Sequence, residues 1–188
     1  MSDIIDKILV VIDVQNDFVT GALANEDAQK AIPEIVNLVQ KFGDDGCPII
    51  FTKDTHDDDS YLDSQEGKKL PIKHCIRGTH GRDIVKEVYG VIPQDNDAKI
   101  IEKCTFGELD IWEYICDIIR SNKKYYHIDN IYICGLCTDI CVIINALILK
   151  ARVPEIEIYV VSDACAGTTP EKHNMALEVM KSCQINVI

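Results

Sequence analysis

The sequence predicts an α/β fold in which a parallel sheet lies between layers of helices. Two observations predict it. Short apolar runs alternate with longer helical patterns along the 188 residues, and this alternation is typical of a parallel sheet with helices on both faces. The short runs are also nearly continuous in Ile and Val, as expected for strands that are buried on both faces. The length indicates one domain, residues 1–188.

The individual elements follow from run length and periodicity. Six apolar runs have the length of strands, and four segments have the apolar spacing of helices. The first helical segment places Ile32, Ile35 and Val39 on one side. The predicted strands are residues 8–13, 48–53, 98–102, 131–134, 156–162 and 185–188, and the predicted helices are residues 27–42, 108–121, 138–152 and 171–182.

One segment, residues 54–82, interrupts this rhythm. It is polar and has little periodicity. A loop of this length inside a compact domain is usually functional or disordered. We therefore expect an insertion over about residues 54–82 that carries part of a site.

Charge and cysteine content exclude several classes of function. The formal net charge of −12 would repel nucleic acid and anionic membrane surfaces. No apolar run approaches the roughly 20 residues of a membrane-spanning helix, and the N-terminus shows no cleavage signal. Nine cysteines are an odd number, which fits a reduced, cytoplasmic protein with buried thiols better than a disulfide framework.

Four polar residues stand out because each lies at or just beyond the end of a predicted strand. They are Asp13, Asp54, Lys103 and Cys141. The carboxyl ends of parallel strands share one edge of the sheet, where open α/β folds bind their ligands. The chain contains neither G-x-G-x-x-G nor G-x-x-x-x-G-K-[ST], so a dinucleotide or nucleoside triphosphate is not the expected ligand.

The run ICGLCTDICV contains three cysteines in different settings. Cys134 closes a strand and is expected to be a small buried side chain. Cys137 lies in the following turn. Thr138 is a good N-cap residue, which puts Cys141 in the first helical turn. There the helix dipole and free N–H groups would stabilise a thiolate.

A reactive thiol needs a proton acceptor and a group that stabilises the developing anion. Asp13 ends an apolar strand, where partial burial would raise its basicity. Lys103 follows another strand. It would lie between Asp13 and Cys141 and stabilise the anions that form there. Each residue also has a simpler interpretation, since Asp13 fits a turn and Lys103 fits a solvated strand end.

Several motifs occur together and in a characteristic order: IDVQNDF, EKCTFG, GLCTDICV and SDACAG. In this combination the chain resembles the isochorismatase-like cysteine hydrolases. The resemblance implies a single three-layer, Rossmann-like α/β domain with a six-stranded parallel sheet. It implies a catalytic triad of Asp13, Lys103 and Cys141. It also implies a cis peptide at Leu136–Cys137 and an oxyanion hole formed by the N–H groups of Cys137 and Cys141.

The loop also contains candidate metal ligands. Asp54 and His56 form an Asp-x-His pair, and His74 opens the run HCIRGT. By themselves such scattered side chains fit a solvated loop as well as a metal site. Both patterns, however, are similar to those of the nicotinamidase branch. That resemblance implies a divalent metal ion, with Zn²⁺ expected first and Fe²⁺ or Mn²⁺ as alternatives. Glu66 is a further candidate ligand, direct or through water.

The substrate is less narrowly indicated. Phe18 matches the aromatic wall of the nicotinamidase branch, and Tyr61 could supply a second ring. Leu70, however, precedes Pro71 where nicotinamidases often carry Trp. Hydrolysis of nicotinamide to nicotinate and ammonia is the leading hypothesis. The alternatives are another small amide or a ureido or carbamoyl substrate, a binding module without chemistry, and a thiol redox protein that uses the CGLC run.

The predicted helix 138–152 bears on assembly. It is apolar nearly all round, with Asn145 as the main exception. Such a helix must be covered on more than one side, either inside the core or at a subunit interface. The resemblance implies a homo-oligomer, a dimer or a tetramer.

Overall fold

The protein forms one parallel six-stranded sheet with helices on both faces, which confirms the predicted fold class. We describe a computed structural model that covers residues 5–96, 98–121 and 127–188. The strand order is β3-β2-β1-β4-β5-β6, with every neighbouring pair parallel. The strands are β1 Lys7–Ile12, β2 Ile49–Asp54, β3 Ala98–Lys103, β4 Asn130–Leu136, β5 Glu157–Ala166 and β6 Asn186–Val187.

The helices of the described residues differ widely in length, and none of them is both long and apolar enough to cross a membrane. The α-helices are α1 Asn16–Val19, α2 Glu26–Asp44, α3 Gln65–Lys69, α4 Lys86–Tyr89, α5 Ile111–Ser121, α6 Ile143–Arg152 and α7 Pro170–Ser182. Two 3₁₀ turns, Tyr61–Asp63 and His80–Arg82, and a π-helical turn, Thr138–Val142, complete the set.

The core is built around β1. Every residue from Ile8 to Ile12 is fully buried, because β1 has strands on both sides and packs within the apolar cluster on both faces. Helix α2 packs Ile35 and Val39 against this cluster. Burial of each side chain contributes about 1.5–3 kcal/mol to the stability of the fold. The helix begins one residue earlier than expected, because Asn25 caps it by accepting the N–H groups of residues 27 and 28.

The predicted helix 138–152 is wrong in its first turn. Residues Thr138–Val142 form a π-helical turn, and the α-helix proper begins at Ile143. Thr138 is not the N-cap, since Cys137 precedes the turn and no side chain caps it. The Thr138 hydroxyl is instead hydrogen bonded to Nδ1 of His173, 2.8 Å away on α7. Burial beside α7 therefore overrides the local capping preference.

The end of β5 and the insertion also differ from the expectation. Strand β5 continues to Ala166 rather than ending at residue 162, because Cys165 and Ala166 still pair with β4. The insertion is ordered by short elements, namely α3 and the two 3₁₀ turns. A β-bridge between His56 and Ile76 closes it onto itself.

Gly135 is required where β4 approaches β1. Its φ is +121°, and a Cβ there would lie 2.1 Å from the carbonyl oxygen of Ile12. We expect Gly135→Ala to lower the free energy of unfolding by more than about 3 kcal/mol, since backbone must move. Gly78→Ala is the control: φ is +82° but nothing lies within 4 Å of the added carbon, so about 1 kcal/mol is expected. Urea unfolding measures both, and equal losses would contradict the packing argument.

Candidate active site

The carboxyl edge of the sheet brings together three of the predicted site residues. Asp13 follows β1, and its backbone turns sharply, with φ of +48°. Lys103 is the last residue of β3 and pairs in register with Asp54 on β2. Its side chain therefore crosses the end of β2 to reach Asp13. Cys141 lies in the π-helical turn that follows β4, the strand on the other side of β1.

Asp13 and Lys103 form a buried ion pair. Nζ of Lys103 lies 2.6 Å from Oδ2 of Asp13, and both side chains are almost fully buried. The hydroxyl of Thr52 donates to the other carboxylate oxygen at 2.7 Å. Oδ2 therefore faces the ammonium group of Lys103, and Oδ1 faces Thr52. The carboxylate can accept a proton only as its contact with Lys103 loosens.

Lys103 also faces the thiol. Nζ lies 3.9 Å from Sγ of Cys141 and donates a hydrogen bond to the carbonyl of Thr105 at 3.0 Å. Burial by itself would lower the pKa of Lys103, but the charge of the Asp13 carboxylate outweighs it and raises that pKa. The ammonium group therefore stays charged although it is buried.

The surroundings of Cys141 oppose the thiolate that the first helical turn was expected to stabilise. Burial raises the pKa of the Cys141 thiol well above its usual value, and the Asp13 carboxylate raises it further, while Lys103 only partly opposes this. A position in the first helical turn does not compensate for desolvation of this size. Burial and the Asp13 carboxylate therefore both favour the neutral thiol of Cys141 over the thiolate.

The charges of the site show how the thiol can be activated. Burial raises the pKa of the Asp13 carboxyl, and Lys103 lowers it in part. An ionised Asp13 together with a thiolate would put two anions beside one cation in a dry pocket. Transfer of the proton from Cys141 to Asp13 keeps the total charge unchanged and leaves the thiolate next to Lys103. The arrangement can thus generate a nucleophile without a change in net charge.

A second cluster lies on the insertion. One donor atom from each of Asp54, His56, Glu66 and His74 lies within 4.8 Å of the others. Nε2 of His56 is 2.8 Å and Nε2 of His74 is 3.5 Å from Oδ2 of Asp54. Two imidazoles and two carboxylates suit Zn²⁺, Fe²⁺ or Mn²⁺. The donor set therefore fits a divalent cation.

Hydrogen bonds to the backbone orient this cluster. Nδ1 of His74 lies 2.9 Å from the carbonyl of Ile72, which leaves Nε2 directed at Asp54. Burial would raise the pKa of Asp54, but hydrogen bonds from His56 and His74 hold it well below its usual range. Burial would lower the pKa of His74, but hydrogen bonds to Asp54 and Glu66 raise it to about 10. An imidazole that binds a metal ion is neutral, so a divalent cation bound here would take the place of the proton that the two carboxylates hold on His74.

Two residues of the IDVQNDF run hold the second cluster against β1. The buried side-chain amide of Gln15 accepts the N–H of Asp54 and donates to its carbonyl, both at 2.8 Å. Asp17 accepts the N–H of Cys75 at 2.7 Å. Cys75 directly follows His74 and has a φ of +47°, so Asp17 fixes an unfavourable backbone conformation next to a candidate ligand.

Both clusters open into one cavity of about 1070 Å³. Cys141, Asp54, His56, Glu66 and His74 line it. The remaining wall includes Phe18, Leu23, Leu70, Phe106, Ile140 and Cys137. A small apolar ring could therefore contact the thiol and the metal ligands at once.

The two expected aromatic walls have different outcomes. Phe18 lines the cavity, with its ring 5.6 Å from that of His74. Tyr61 does not line it. The buried ring of Tyr61 packs behind His56 and His74 at 4.9 and 5.3 Å, and its hydroxyl donates to the carbonyl of Leu70. Tyr61 thus supports the candidate ligands rather than forming a wall.

Comparison with known proteins agrees with this geometry. The Isochorismatase domain family matches residues 7–188. The chain belongs to the isochorismatase family. Nicotinamidase of Saccharomyces cerevisiae is 25% identical to this isochorismatase-family chain over 97% of it and 99% of the yeast protein.

Solved structures extend the comparison. The crystal structure of nicotinamidase PncA from Bacillus subtilis matches with a TM-score of 0.81 at 29% identity, covering 97% of this chain and 99% of that one. The pyrazinamidase of Pyrococcus horikoshii in complex with zinc matches with a TM-score of 0.77 at 30% identity, covering 98% and 99%. Within the isochorismatase family the chain falls in the nicotinamidase branch, and it is a hydrolase of the amide-cleaving class.

Some residues of this site were missed from the sequence. Gln15 and Asp17 could have been identified, because both are polar residues in the IDVQNDF run that contains Asp13. Asn145 was noted only as the polar exception in an apolar helix, although it is fully buried. Phe106 lines the cavity while remaining 44% exposed, and nothing in its local sequence distinguished it from a surface residue.

A matched pair of variants separates the two clusters. Asp13→Asn removes the carboxylate that raises the pKa of Cys141. We expect iodoacetamide to alkylate Cys141 faster at neutral pH, while amide turnover falls by about 10²–10⁴-fold because the proton acceptor is lost. Alkylation is followed by peptide mapping across a pH series. Slower alkylation, or turnover close to that of the native protein, would contradict the role given to Asp13.

Asp17→Asn is the matched change at the other cluster. Asp17 accepts the N–H of Ala22 with one oxygen and that of Cys75 with the other. An amide has only one oxygen and cannot accept both, so the support of His74 weakens. We expect a loss of about 10–100-fold in Zn²⁺ affinity by competition with a chelating dye. The pH profile of Cys141 alkylation should stay unchanged. A shifted profile with unchanged affinity would show that the two clusters are not separable in this way.

Proposed function

We propose that this protein hydrolyses nicotinamide to nicotinate and ammonia, with Cys141 as nucleophile and a divalent cation on the insertion. The proposal depends on one observation above all: the thiol, the candidate metal ligands and Phe18 line the same cavity. A planar ring could place a carboxamide at the thiol of Cys141 and a ring nitrogen at the candidate metal ligands, since both line that cavity. The nicotinamidase names of similar proteins support the same substrate.

The metal ligands in this proposal are Asp54, His56 and His74, with Glu66 either direct or through water. Oε1 of Glu66 lies 3.5 Å from Nε2 of His74, which supports its inclusion. A divalent cation bound there would supply a Lewis-acid position for the ring nitrogen. Zinc is the first choice for this donor set, and the zinc complex of the Pyrococcus protein supports it. Phe18 covers one face of the ring.

The first half of the reaction is acylation of Cys141. As Sγ attacks the carboxamide carbon, the thiol proton passes to Asp13 and a carbon–sulfur bond forms. Lys103 stabilises the thiolate during this transfer. The carbon–nitrogen bond then breaks, and Asp13 returns the proton to the departing amine, so that ammonia leaves and a thioester remains on Cys141.

The second half is hydrolysis of the thioester. Asp13 again accepts a proton, now from the attacking water, and a carbon–oxygen bond forms as the carbon–sulfur bond breaks. The proton returns to Sγ, which restores the neutral thiol. The carboxylic acid product loses its remaining proton to solvent and is released as nicotinate. The same carboxylate thus serves as base and acid twice in one cycle.

The N–H groups of Cys137 and Cys141 are the proposed donors to the oxyanion. Leu136–Cys137 is a cis peptide, as the family resemblance implied, and Cys137 lines the cavity beside Cys141. Donors fixed on the backbone need little reorganisation as charge develops on the oxygen. Cys134 has no place in this chemistry, because it is fully buried in β4.

A second substrate class has a specific observation in its favour. The cavity volume of about 1070 Å³ exceeds what a single pyridine ring needs, and Leu70 lines it at a position where an aromatic residue was expected. A larger amide, or a ureido or carbamoyl compound, could therefore occupy the same site and use the same thiol.

Assembly and compartment are also proposals. Helix α6 leaves Ile143, Ile144, Leu147 and Ile148 only partly buried, which supports a homo-oligomer, a dimer or a tetramer, that covers them. All nine cysteines are free thiols, which supports a reducing, cytoplasmic setting.

The decisive test compares nicotinamide with benzamide, which has the same carboxamide but no ring nitrogen. If the metal cluster binds the ring nitrogen, benzamide loses that contact in a dry pocket. We expect its kcat/KM to be lower by about 10²-fold or more. Ammonia release measures both substrates, and equal kcat/KM values would refute the nicotinamidase proposal.

Metal removal and His56→Ala serve as controls. Both should slow nicotinamide hydrolysis sharply and bring it towards the benzamide rate. Full activity in a sample that elemental analysis shows to be free of metal would also refute the proposal. Fast hydrolysis of a ureido substrate in that comparison would favour the second substrate class.

A further inference from the structure

Asn145 makes three hydrogen bonds that the proposed reaction does not use. It lies on α6 and is fully buried. Its Nδ2 donates to the carbonyl of Cys141 at 2.7 Å and to the carbonyl of Phe106 at 3.2 Å, and its Oδ1 accepts the N–H of Glu108 at 2.9 Å. One side chain therefore joins the nucleophile turn to residues 104–108.

Residues 104–108 hold the ammonium group of Lys103. The carbonyl of Thr105 accepts a hydrogen bond from Nζ of Lys103 at 3.0 Å. Thr105 immediately precedes Phe106, whose carbonyl Asn145 binds. The position of the Thr105 carbonyl depends on where residues 104–108 lie against α6. The direction in which the Lys103 side chain is held therefore depends on it too.

Packing brings the same segment close to α6. A Cβ on Gly107 would lie 2.4 Å from a methyl carbon of Ile144 and 2.6 Å from Ile148. The backbone at Gly107 is thus in close contact with the helix, but an apolar contact of this kind does not fix its angle. The directional hydrogen bonds come from Asn145.

We propose that Asn145 is a positioning residue that fixes Lys103 relative to Cys141 by binding the backbone on both sides. The inference rests on the proposed function, because it takes Cys141 as the nucleophile and Lys103 as the cation that stabilises it. Only a side chain with a donor and an acceptor can make all three bonds. The amide of Asn145 meets this requirement in a position where helix formation alone would favour an apolar residue.

Substitutions at position 145 can remove the bond to the Cys141 carbonyl and the bonds to residues 104–108 in different combinations. Leu at this position has similar size and makes none of the bonds. Asp keeps an acceptor for Glu108 but cannot donate to the two carbonyls when ionised. Thr can donate its hydroxyl to the carbonyl four residues earlier in the helix, which is that of Cys141, but would leave residues 104–108 unbound.

The experiment measures two quantities for Asn145→Leu, Asn145→Asp and Asn145→Thr in the full chain. The first is kcat and KM for nicotinamide. The second is the pH profile of Cys141 alkylation by iodoacetamide, which needs no substrate. We expect kcat to fall by about 10–100-fold with KM changed less than about threefold, as for a small misplacement of a reacting group. We expect the alkylation profile to move to higher pH, because Lys103 stabilises the thiolate less well.

Asn145→Thr should resemble Asn145→Leu in the alkylation profile, since the position of Lys103 depends on a side chain that binds both the Cys141 turn and residues 104–108. It also guards against misfolding, because Thr can satisfy the carbonyl of Cys141. Asn96→Leu is the matched control: Asn96 donates to the carbonyl of Cys47 at 2.9 Å, away from the cavity. That change should lower the melting temperature yet leave the alkylation profile unchanged.

The outcomes distinguish this inference from the proposed function. If the native protein hydrolyses nicotinamide and Asn145→Thr keeps both its kcat and its alkylation profile, the positioning role is overturned and the proposed function stands. If the native protein does not hydrolyse nicotinamide but the Asn145 variants shift the alkylation profile as expected, the proposed function fails and the positioning role stands. A shift of the same size in Asn96→Leu would also overturn the positioning role, since it would reflect general loosening.

Discussion

The buried ion pair between Asp13 and Lys103 is the interaction on which the rest of the site depends. Moving two charges out of water is costly, and the cost is recovered only with close contact and further hydrogen bonds. Here the contact is 2.6 Å, and Thr52 and Thr105 supply the hydrogen bonds. The pair keeps a cation and a potential base buried at the edge of the sheet.

The sheet makes this pair possible. Asp13 ends the central strand β1, while Lys103 ends β3, the outer strand two places away. The parallel register sets Lys103 beside Asp54 at the end of β2, so Lys103 lies between Asp13 and the candidate metal ligands. A shift of two residues in the register of β3 against β2 would move the ammonium group of Lys103 away from Asp13.

The IDVQNDF run connects the two chemical clusters. Asp13 belongs to the ion pair, Gln15 holds the backbone of Asp54, and Asp17 holds the backbone that follows His74. Three polar residues at alternating positions after one strand thus each support a different part of the site. The distance between the thiol and the metal ligands is therefore set largely by the end of β1.

Sequence reasoning could locate the strands and the residues proposed for the triad and the metal site, because apolar runs mark strand ends and polar residues there are conspicuous. It could not give the protonation state of Cys141. A local rule, the helix end, favours a thiolate, whereas burial by residues distant in sequence favours a thiol, and only the folded structure shows which is larger. Thr138 and Tyr61 were misplaced for the same reason: each is oriented by packing partners outside its own segment.

The central claim is that Cys141 rests as a neutral thiol and gives up its proton only when it attacks. The most direct measurement is the ultraviolet absorption of the thiolate in the native protein minus that in Cys141→Ala, followed across pH without substrate. The account predicts no thiolate signal from Cys141 at neutral pH, with a signal appearing only above the usual thiol range. A Cys141 thiolate already present at neutral pH would contradict it.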